Sequence, residues 1–302
     1  MPAERFTTLD GRPTVRIERE YQHPIDKVWR AVTTAEHLGQ WFPTPVDMDL
    51  QLGGRVRFAG FEGTEGAGVV EELDPPRRLT FTWGGDRLTF ELTDLGNRTG
   101  FVLIHAFDDR YGAPSFAAGW DACLAGLRSV LASEPVASLP PDRHVARHEQ
   151  LVHEFGLDAP EVTGADDGDA QWTVRFERQL TCPAEVAWDL WFGKDIQTGD
   201  QRRAPGVGEP LTPYQQPDLV VGTVTDLEPQ RVLGFDVSPD GGPGDHVRLE
   251  LTQGTGHGAR AILTITGTDP TERDDAAQVW GDAIAHLGKC GADWAMTQPM
   301  DA

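Results

Sequence analysis

The chain repeats itself, and this repetition limits its fold more than any other feature of the sequence. Residues 15–29 (VRIEREYQHPIDKVW) match residues 174–188 (VRFERQLTCPAEVAW) at an offset of 159. Three further blocks match in the same order: 69–83 with 223–237 at an offset of 154, 88–94 with 247–253 at 159, and 119–127 with 279–287 at 160. Four matches in one order at a nearly constant offset indicate two homologous domains.

The first copy has the pattern of an α+β domain. Alternating apolar residues predict a strand near its start (TVRIEREY), and two short helices follow that strand. Further strands are predicted at 46–52, 54–60, 67–73, 78–83, 86–94 and 99–106, separated by Gly and Pro turn signals. A long amphipathic helix is predicted over 116–131. A curved antiparallel sheet wrapped around this C-terminal helix would bury the apolar faces of both.

The second copy diverges from the first between Trp188 and Leu227. This interval is polar and rich in Gly and Pro, and the LQLGGRVRFAG hairpin of the first copy has no visible counterpart in it. One or two edge strands are therefore expected to be shortened or replaced by a loop. The predicted division of the chain is a first domain at 12–132, a linker containing a helix at 133–170, and a degenerate second domain at 171–298.

Charge and composition exclude several classes of protein. The net charge of −22 repels phosphate backbones, so no nucleic-acid partner is expected. No run approaches about 18 apolar residues and the N-terminus lacks an apolar signal core, so neither a membrane span nor export is expected. The cysteines fit no disulfide or metal spacing, which predicts reduced thiols in the cytoplasm at Cys123, Cys182 and Cys290. No cofactor is expected, and the oligomeric state stays open, a monomer included.

Five segments of the first copy resemble a known superfamily. In chain order they are IEREYQHPIDKVWRAVTTAEHLGQWF, LQLGGRVRF, GVVEELDPPRRLTFTW, FELTD and GWDACLAGL. They are similar to the START-like (SRPBCC, Bet v allergen-like) helix-grip superfamily, and within it to the homologues of the heat-shock chaperone ATPase activator. The resemblance covers nearly all of residues 12–132, and the second copy carries it more weakly. It implies two tandem helix-grip domains.

The resemblance also implies a cavity between the sheet and the long helix of each copy, where members of the superfamily bind hydrophobic small molecules. The expected function is sequestration of a polyketide-like or polyene-like metabolite, with the more regular cavity in the first copy. The doubled domains resemble helix-grip proteins of enediyne antibiotic biosynthesis, which implies a role in biosynthesis or self-resistance. Two alternatives stay open: a cyclase, aromatase or hydrolase, and a chaperone-associated interaction protein.

Aromatic side chains of the first copy are the main candidates for the cavity wall. Trp41 and Trp83 are expected to approach the ligand, since one lies where the helices meet the sheet and the other lies on the sheet. Ordinary core packing is the alternative for at least half of the tryptophans. The candidate ligand-binding residues are Trp41, Phe58, Trp83, Phe90, Phe101, Leu103, His105 and Trp120.

His105 is also the candidate catalyst of the enzyme alternative. An imidazole can act as an acid–base group near neutral pH, with a nearby Asp or Tyr111 as its partner. The preferred interpretation is structural, with the ring bonded to a backbone carbonyl, because the sequence indicates no catalytic partner. The second copy has Ile265 or Thr266 at this place, so any histidine chemistry would belong to the first copy alone.

The segment HVARH in the predicted linker places His144 and His148 four residues apart, a spacing that can hold Zn²⁺. Only two ligands are well placed, and the segment lacks the Glu that follows the first His of a metalloprotease helix. A solvated linker helix is therefore the preferred interpretation, and no metal site is predicted.

Overall fold

The computed structural model describes residues 4–60, 66–137, 141–164, 171–192, 205–212, 218–256 and 258–298. The chain divides into two compact units, Met1–Pro140 and Pro141–Ala302. No helix in these described ranges is long and apolar enough to cross a membrane.

The first unit is an eight-stranded antiparallel sheet with helices packed on it. Its strands are β1 (Glu4–Leu9), β2 (Arg12–Tyr21), β3 (Val46–Met48), β4 (Arg55–Phe58), β5 (Ala67–Asp74), β6 (Arg78–Trp83), β7 (Asp86–Asp94) and β8 (Thr99–Ala106). Its helices are α1 (Ile25–Thr33), α2 (Ala35–Trp41) and α3 (Ala113–Ala132). Hydrogen bonds order the strands β1-β2-β8-β7-β6-β5-β4-β3.

The second unit repeats this plan with one strand fewer among its described residues. Its helices are α4 (Pro141–Glu154), α5 (Ala184–Trp191) and α6 (Arg273–Met296). Its strands are β9 (Glu161–Thr163), β10 (Trp172–Gln179), β11 (Pro210–Leu211), β12 (Gly222–Glu228), β13 (Val232–Val237), β14 (His246–Gln253) and β15 (Ala259–Gly267). Their order, β11-β12-β13-β14-β15-β10-β9, is the order of the first unit read from the opposite edge.

The two sheets share a local irregularity as well as an order. The register of β5 and β6 shifts between Val70 and Glu72, and that of β12 and β13 shifts between Val224 and Asp226, which are matched positions of the repeat. A β-bulge bends the strand that carries it, so both sheets curve at the same point. At the diverged edge, β11 has two residues where β4 has four, and the described residues contain no counterpart of β3.

The long helix of each unit packs on the concave face of its sheet. In the first unit, β2 turns Val15 and Ile17 inward, and α3 turns Trp120, Leu124 and Leu127 toward them, all of these side chains being buried. The apolar face of the helix and the apolar face of the sheet are thereby removed from water together. Both units are α+β helix-grip domains, as the resemblance implied.

The helix predicted in the linker is part of the second unit. Val145, His148 and Leu151 of α4 are buried, and the helix packs against α6. The expectation of a solvated helix is therefore wrong, because α4 has an apolar face that α6 covers. The predicted bounds at 12–132, 133–170 and 171–298 stay a prediction.

A buried arginine links the first long strand of each unit to neighbouring elements. Arg19 on β2 pairs with Glu4 of β1 and Asp121 of α3, and only 8% of its side chain is exposed. Arg178 is the matched residue on β10, and it pairs with Glu149 of α4. A guanidinium this deeply buried needs a carboxylate partner. In the second unit, α4 supplies the carboxylate that the long helix supplies in the first.

Two glycines on α6 explain why Arg178 pairs with a carboxylate of α4 and not with one of the long helix. Gly281 stands at the position matched to Asp121, so α6 has no carboxylate there. Two turns later, Gly288 lies against Arg178, and a Cβ atom at Gly288 would come within 2.3 Å of the guanidinium Nε. The missing side chain allows Arg178 to lie against α6 while it pairs with Glu149.

We expect Glu149→Ala to lower the free energy of unfolding of the second unit by about 3 kcal/mol, because the Arg178 guanidinium stays buried without its partner. Glu154→Ala, on the exposed end of the same helix, should cost less than about 1 kcal/mol. Hydrogen-exchange mass spectrometry in increasing urea measures the free energy of unfolding of each unit separately, because it resolves peptides from the two units. Equal effects of the two substitutions would contradict the role of the ion pair.

Candidate functional site

The aromatic residues predicted as a cavity wall meet in the first unit, where they pack on one another. The rings of Phe58 and Trp83 stack with centroids 4.4 Å apart, and Trp41 lies 6.1 Å from Phe90. Phe101 lies 5.6 Å from Phe90 on the neighbouring strand. All of these rings are buried except that of Trp83, which is partly exposed. Leu103 is fully buried beside them. Their binding of a ligand stays a prediction.

Two rings at the centre of this cluster are not among the residues predicted from the sequence. Phe42 lies 5.3 Å from Trp120 and 5.5 Å from Trp83, so it fills the space between α3 and the sheet. Phe81 packs edge-on to Phe90 at 5.5 Å. Both could have been found, since Phe42 directly follows the end of α2 and Phe81 is in phase with Trp83 on β6.

His105 is buried and has two side-chain partners. The Trp120 indole N–H donates to His105 Nδ1 at 3.1 Å, and His105 Nε2 lies 3.0 Å from Asp86 Oδ2. Because an indole nitrogen can only donate, Nδ1 is the acceptor and Nε2 carries the proton that is donated to Asp86. Asp86 in turn lies 4.0 Å from Arg12. The expected backbone partner is therefore wrong, although the structural interpretation of the histidine agrees with these contacts.

The cross-strand register identifies the counterpart of His105 in the second unit. Val15 pairs with His105, and Val174, which is matched to Val15, pairs with Ile265. Of the two residues considered, Ile265 therefore takes the place of the histidine. An alkyl side chain offers no acceptor for an indole N–H.

The histidines of α4 do not form a metal site in the described residues. His148 is 1% exposed, and its Nδ1 lies 3.2 Å from Glu149 Oε1. No three His, Cys, Asp or Glu side chains in the described ranges lie close enough together to hold a metal ion. The three cysteines are free thiols.

A cavity of about 300 Å³ lies in the second unit, between the sheet, α5 and α6, and we call it the α6 cavity. Its walls are mainly apolar, with aromatic rings contributed by Trp191, Phe192, Phe235 and Trp280. Ala283 stands in the middle of the α6 wall, and the exposed Val279 lies on the same helix one turn earlier. The resemblance implied a cavity in each copy, but the predicted wall residues all lie in the first unit and none of them lines the α6 cavity.

A long turn shapes one side of the α6 cavity. The turn between β13 and β14 spans residues 238–245, where the first unit has only Gly84 and Gly85. Gly241 of this turn lines the cavity, and the Trp280 indole N–H donates to the Pro243 carbonyl at 3.0 Å. The change of repeat offset from 154 to 159 across this turn was the available signal, because it marks an insertion at this point.

Polar side chains occupy the C-terminal part of the α6 wall. His286 and Cys290 both line the cavity, and His286 Nε2 lies 3.5 Å from Cys290 Sγ. They are four residues apart and therefore share one face of the helix. Burial, reinforced by the negative charge of Asp293, raises the pKa of the Cys290 thiol, so the resting side chain is protonated at neutral pH. An apolar cavity with a few polar groups at one place is typical of small-molecule sites.

Three solved structures are similar to parts of this chain or to most of it. CalU16 from Micromonospora echinospora is 23% identical over 52% of this chain and 98% of its own, with a TM-score of 0.43. DynU16, described as a protein in the dynemicin biosynthetic locus, is 18% identical over 92% of this chain and 98% of its own, with a TM-score of 0.38. A conserved protein of unknown function from Enterococcus faecalis is 22% identical over 50% of this chain and 91% of its own, with a TM-score of 0.42. No curated protein matches the chain significantly.

A family model also matches part of the chain. Residues 22–132 match the family described as Activator of Hsp90 ATPase homolog 1-like protein. The matched residues run from the end of β2, just before α1, to the end of α3. The match confirms, for residues 22–132, the resemblance that the sequence segments of the first copy carry.

Proposed function

We propose that the chain binds an apolar small molecule in the α6 cavity and shields it from water. The observation that carries this proposal is the cavity itself, a space of about 300 Å³ walled by aromatic and aliphatic side chains. That volume lies at the lower end of the range of ligand pockets, roughly 300–1,000 Å³. The proposed site is therefore in the second unit, whereas aromatic side chains predicted as the wall in the first unit pack on one another.

The binding energy would come from apolar contact. Burying about 200 Å² of apolar ligand surface contributes about 5 kcal/mol. The loss of the ligand's translational and rotational freedom offsets part of this. Flat rings suit the site best, because the rings of Trp191, Phe235 and Trp280 offer both faces and edges to an aromatic or polyene ligand.

The finer parts of the proposal are a polyketide-like or polyene-like ligand, a place in enediyne-type biosynthesis or self-resistance, and action in the cytoplasm. The free thiols agree with a reducing compartment. The description of DynU16 agrees with the biosynthetic role but does not carry it, since the likeness is one of fold alone.

The enzyme alternative has one observation in its favour, the contact between His105 and Asp86. A catalytic pair of this kind needs the second imidazole nitrogen for the substrate, and here Trp120 occupies it. We therefore favour binding over catalysis, with the His105 contacts holding β7, β8 and α3 together.

We expect His105→Ile to lower the free energy of unfolding of the first unit by about 1–3 kcal/mol, because the buried Trp120 N–H loses its acceptor. Ligand affinity should stay unchanged, since the proposed site is in the second unit. Urea unfolding measures the change in the free energy of unfolding, and fluorescence titration measures the ligand affinity. Ile265→Val, at the matched position, should cost about 1 kcal/mol. Loss of ligand affinity in the His105 variant would contradict a site in the second unit and favour one at His105.

We expect Ala283→Trp to weaken the binding of N-phenyl-1-naphthylamine, an uncharged fluorescent probe, at least tenfold. The new indole would fill the α6 cavity, whereas Ala285→Trp places the same ring on the exposed side of the helix and should change affinity less than twofold. Fluorescence titration gives both dissociation constants. If the wild-type chain does not bind the probe, or if both variants bind it equally well, the proposed site is wrong.

A further inference from the structure

The α6 cavity contains a nucleophile beside a base. The Cys290 thiol lies 3.5 Å from the His286 imidazole Nε2, and both residues line the cavity. A thiol becomes a strong nucleophile when a neighbouring group can take its proton. The Cys290–His286 pair is therefore where a ligand bound in this mainly apolar cavity could form a covalent bond.

The other two cysteines lack this combination. Burial raises the pKa of Cys123 to about 12, and burial likewise raises that of Cys182 to about 12. Cys182 is fully buried under α6, where its Sγ would lie 2.8 Å from a Cβ at Gly291. Cys290 is partly exposed and lines the cavity, so a bound molecule can approach its sulfur.

We propose that Cys290 is a covalent attachment site for an apolar electrophile bound in the α6 cavity, with His286 as the proton acceptor. The proposal rests on the proposed function, because the cavity must first bind the molecule. The chemical class is an uncharged α,β-unsaturated carbonyl compound with an aromatic or polyene body.

The reaction is an addition in which nothing is oxidised or reduced. The sulfur forms a bond to the β-carbon of the ligand while its proton passes to His286 Nε2. The electron pair of the broken carbon–carbon π bond moves onto the carbonyl to give an enolate. The α-carbon then takes a proton from the imidazolium, which restores the neutral ring and leaves a thioether.

The resting protonation state makes this addition selective. A thiol that stays protonated at neutral pH reacts slowly with dilute electrophiles in solution. A ligand held in the cavity is present at a high effective concentration, and the imidazole removes the proton as the bond forms. Apolar electrophiles should therefore react much faster than polar ones of equal intrinsic reactivity.

The test uses trans-chalcone, an apolar unsaturated ketone, and dihydrochalcone, its saturated and unreactive analogue. We expect the intact mass of the full chain to increase by one chalcone, and peptide mapping to place the adduct on Cys290. Dihydrochalcone should bind the cavity and slow the addition in proportion to its occupancy. Cys290→Ser should abolish the adduct, and Ala283→Trp should slow its formation at least tenfold.

His286→Phe separates proton transfer from binding. At saturating chalcone, the variant should add the ligand at least tenfold more slowly than the wild type. Titration with dihydrochalcone measures separately any change in affinity that the altered cavity wall causes. An unchanged rate at saturation would overturn the role of His286, and a purely structural role of the imidazole would change the affinity for dihydrochalcone without changing that rate.

The outcomes distinguish the two proposals. If dihydrochalcone binds and chalcone leaves no adduct, attachment is wrong and binding stands. If dihydrochalcone does not bind, both proposals fail together. An adduct on Cys123, or an adduct on Cys290 that dihydrochalcone does not slow, would also overturn attachment in the cavity.

Discussion

The packing of one long helix into the curve of an antiparallel sheet governs the structure of each unit. The sheet curves at a bulge that both copies keep, near Val70 and near Val224. The helix is held by apolar burial along its length. In the first unit Arg19 also pairs with Asp121 of the long helix, whereas the matched Arg178 pairs with Glu149 of α4. Whatever lies between helix and sheet must fit the space that this packing leaves. Where side chains fill that space it is part of the core, and where they do not a cavity remains.

The hydrogen-bond partner of one indole distinguishes the two units. Trp120 and Trp280 are matched residues on α3 and α6. Trp120 donates to His105 on the sheet, whereas Trp280 donates to the Pro243 carbonyl in the long turn. A buried indole N–H requires an acceptor, and Ile265, which replaces the histidine, provides none. The longer turn thus supplies the acceptor that the replacement of histidine by Ile265 removes. The same turn lines the α6 cavity through Gly241.

Much of the fold could be predicted from the sequence because its signals are local. The predicted strands at 78–83, 86–94 and 99–106 are β6, β7 and β8 without change, since each alternates clearly between glycine or proline turns. β1 was missed because most of its side chains are exposed and it shows no apolar face. The burial of α4 was missed because it depends on contact with α6, more than a hundred residues later in the chain.

The site was harder to predict, because a cavity depends on several distant side chains being small or turned away at once. Ala283 lines the cavity from α6, while in the first unit Phe42, which follows α2, packs against Trp120 of α3. Unfilled space forfeits van der Waals contacts, so the fold by itself favours closure. Among the described residues, aromatic side chains of the first unit pack on one another, whereas those of the second unit line the α6 cavity. The two copies share a fold, so this difference comes from their side chains and not from the backbone plan.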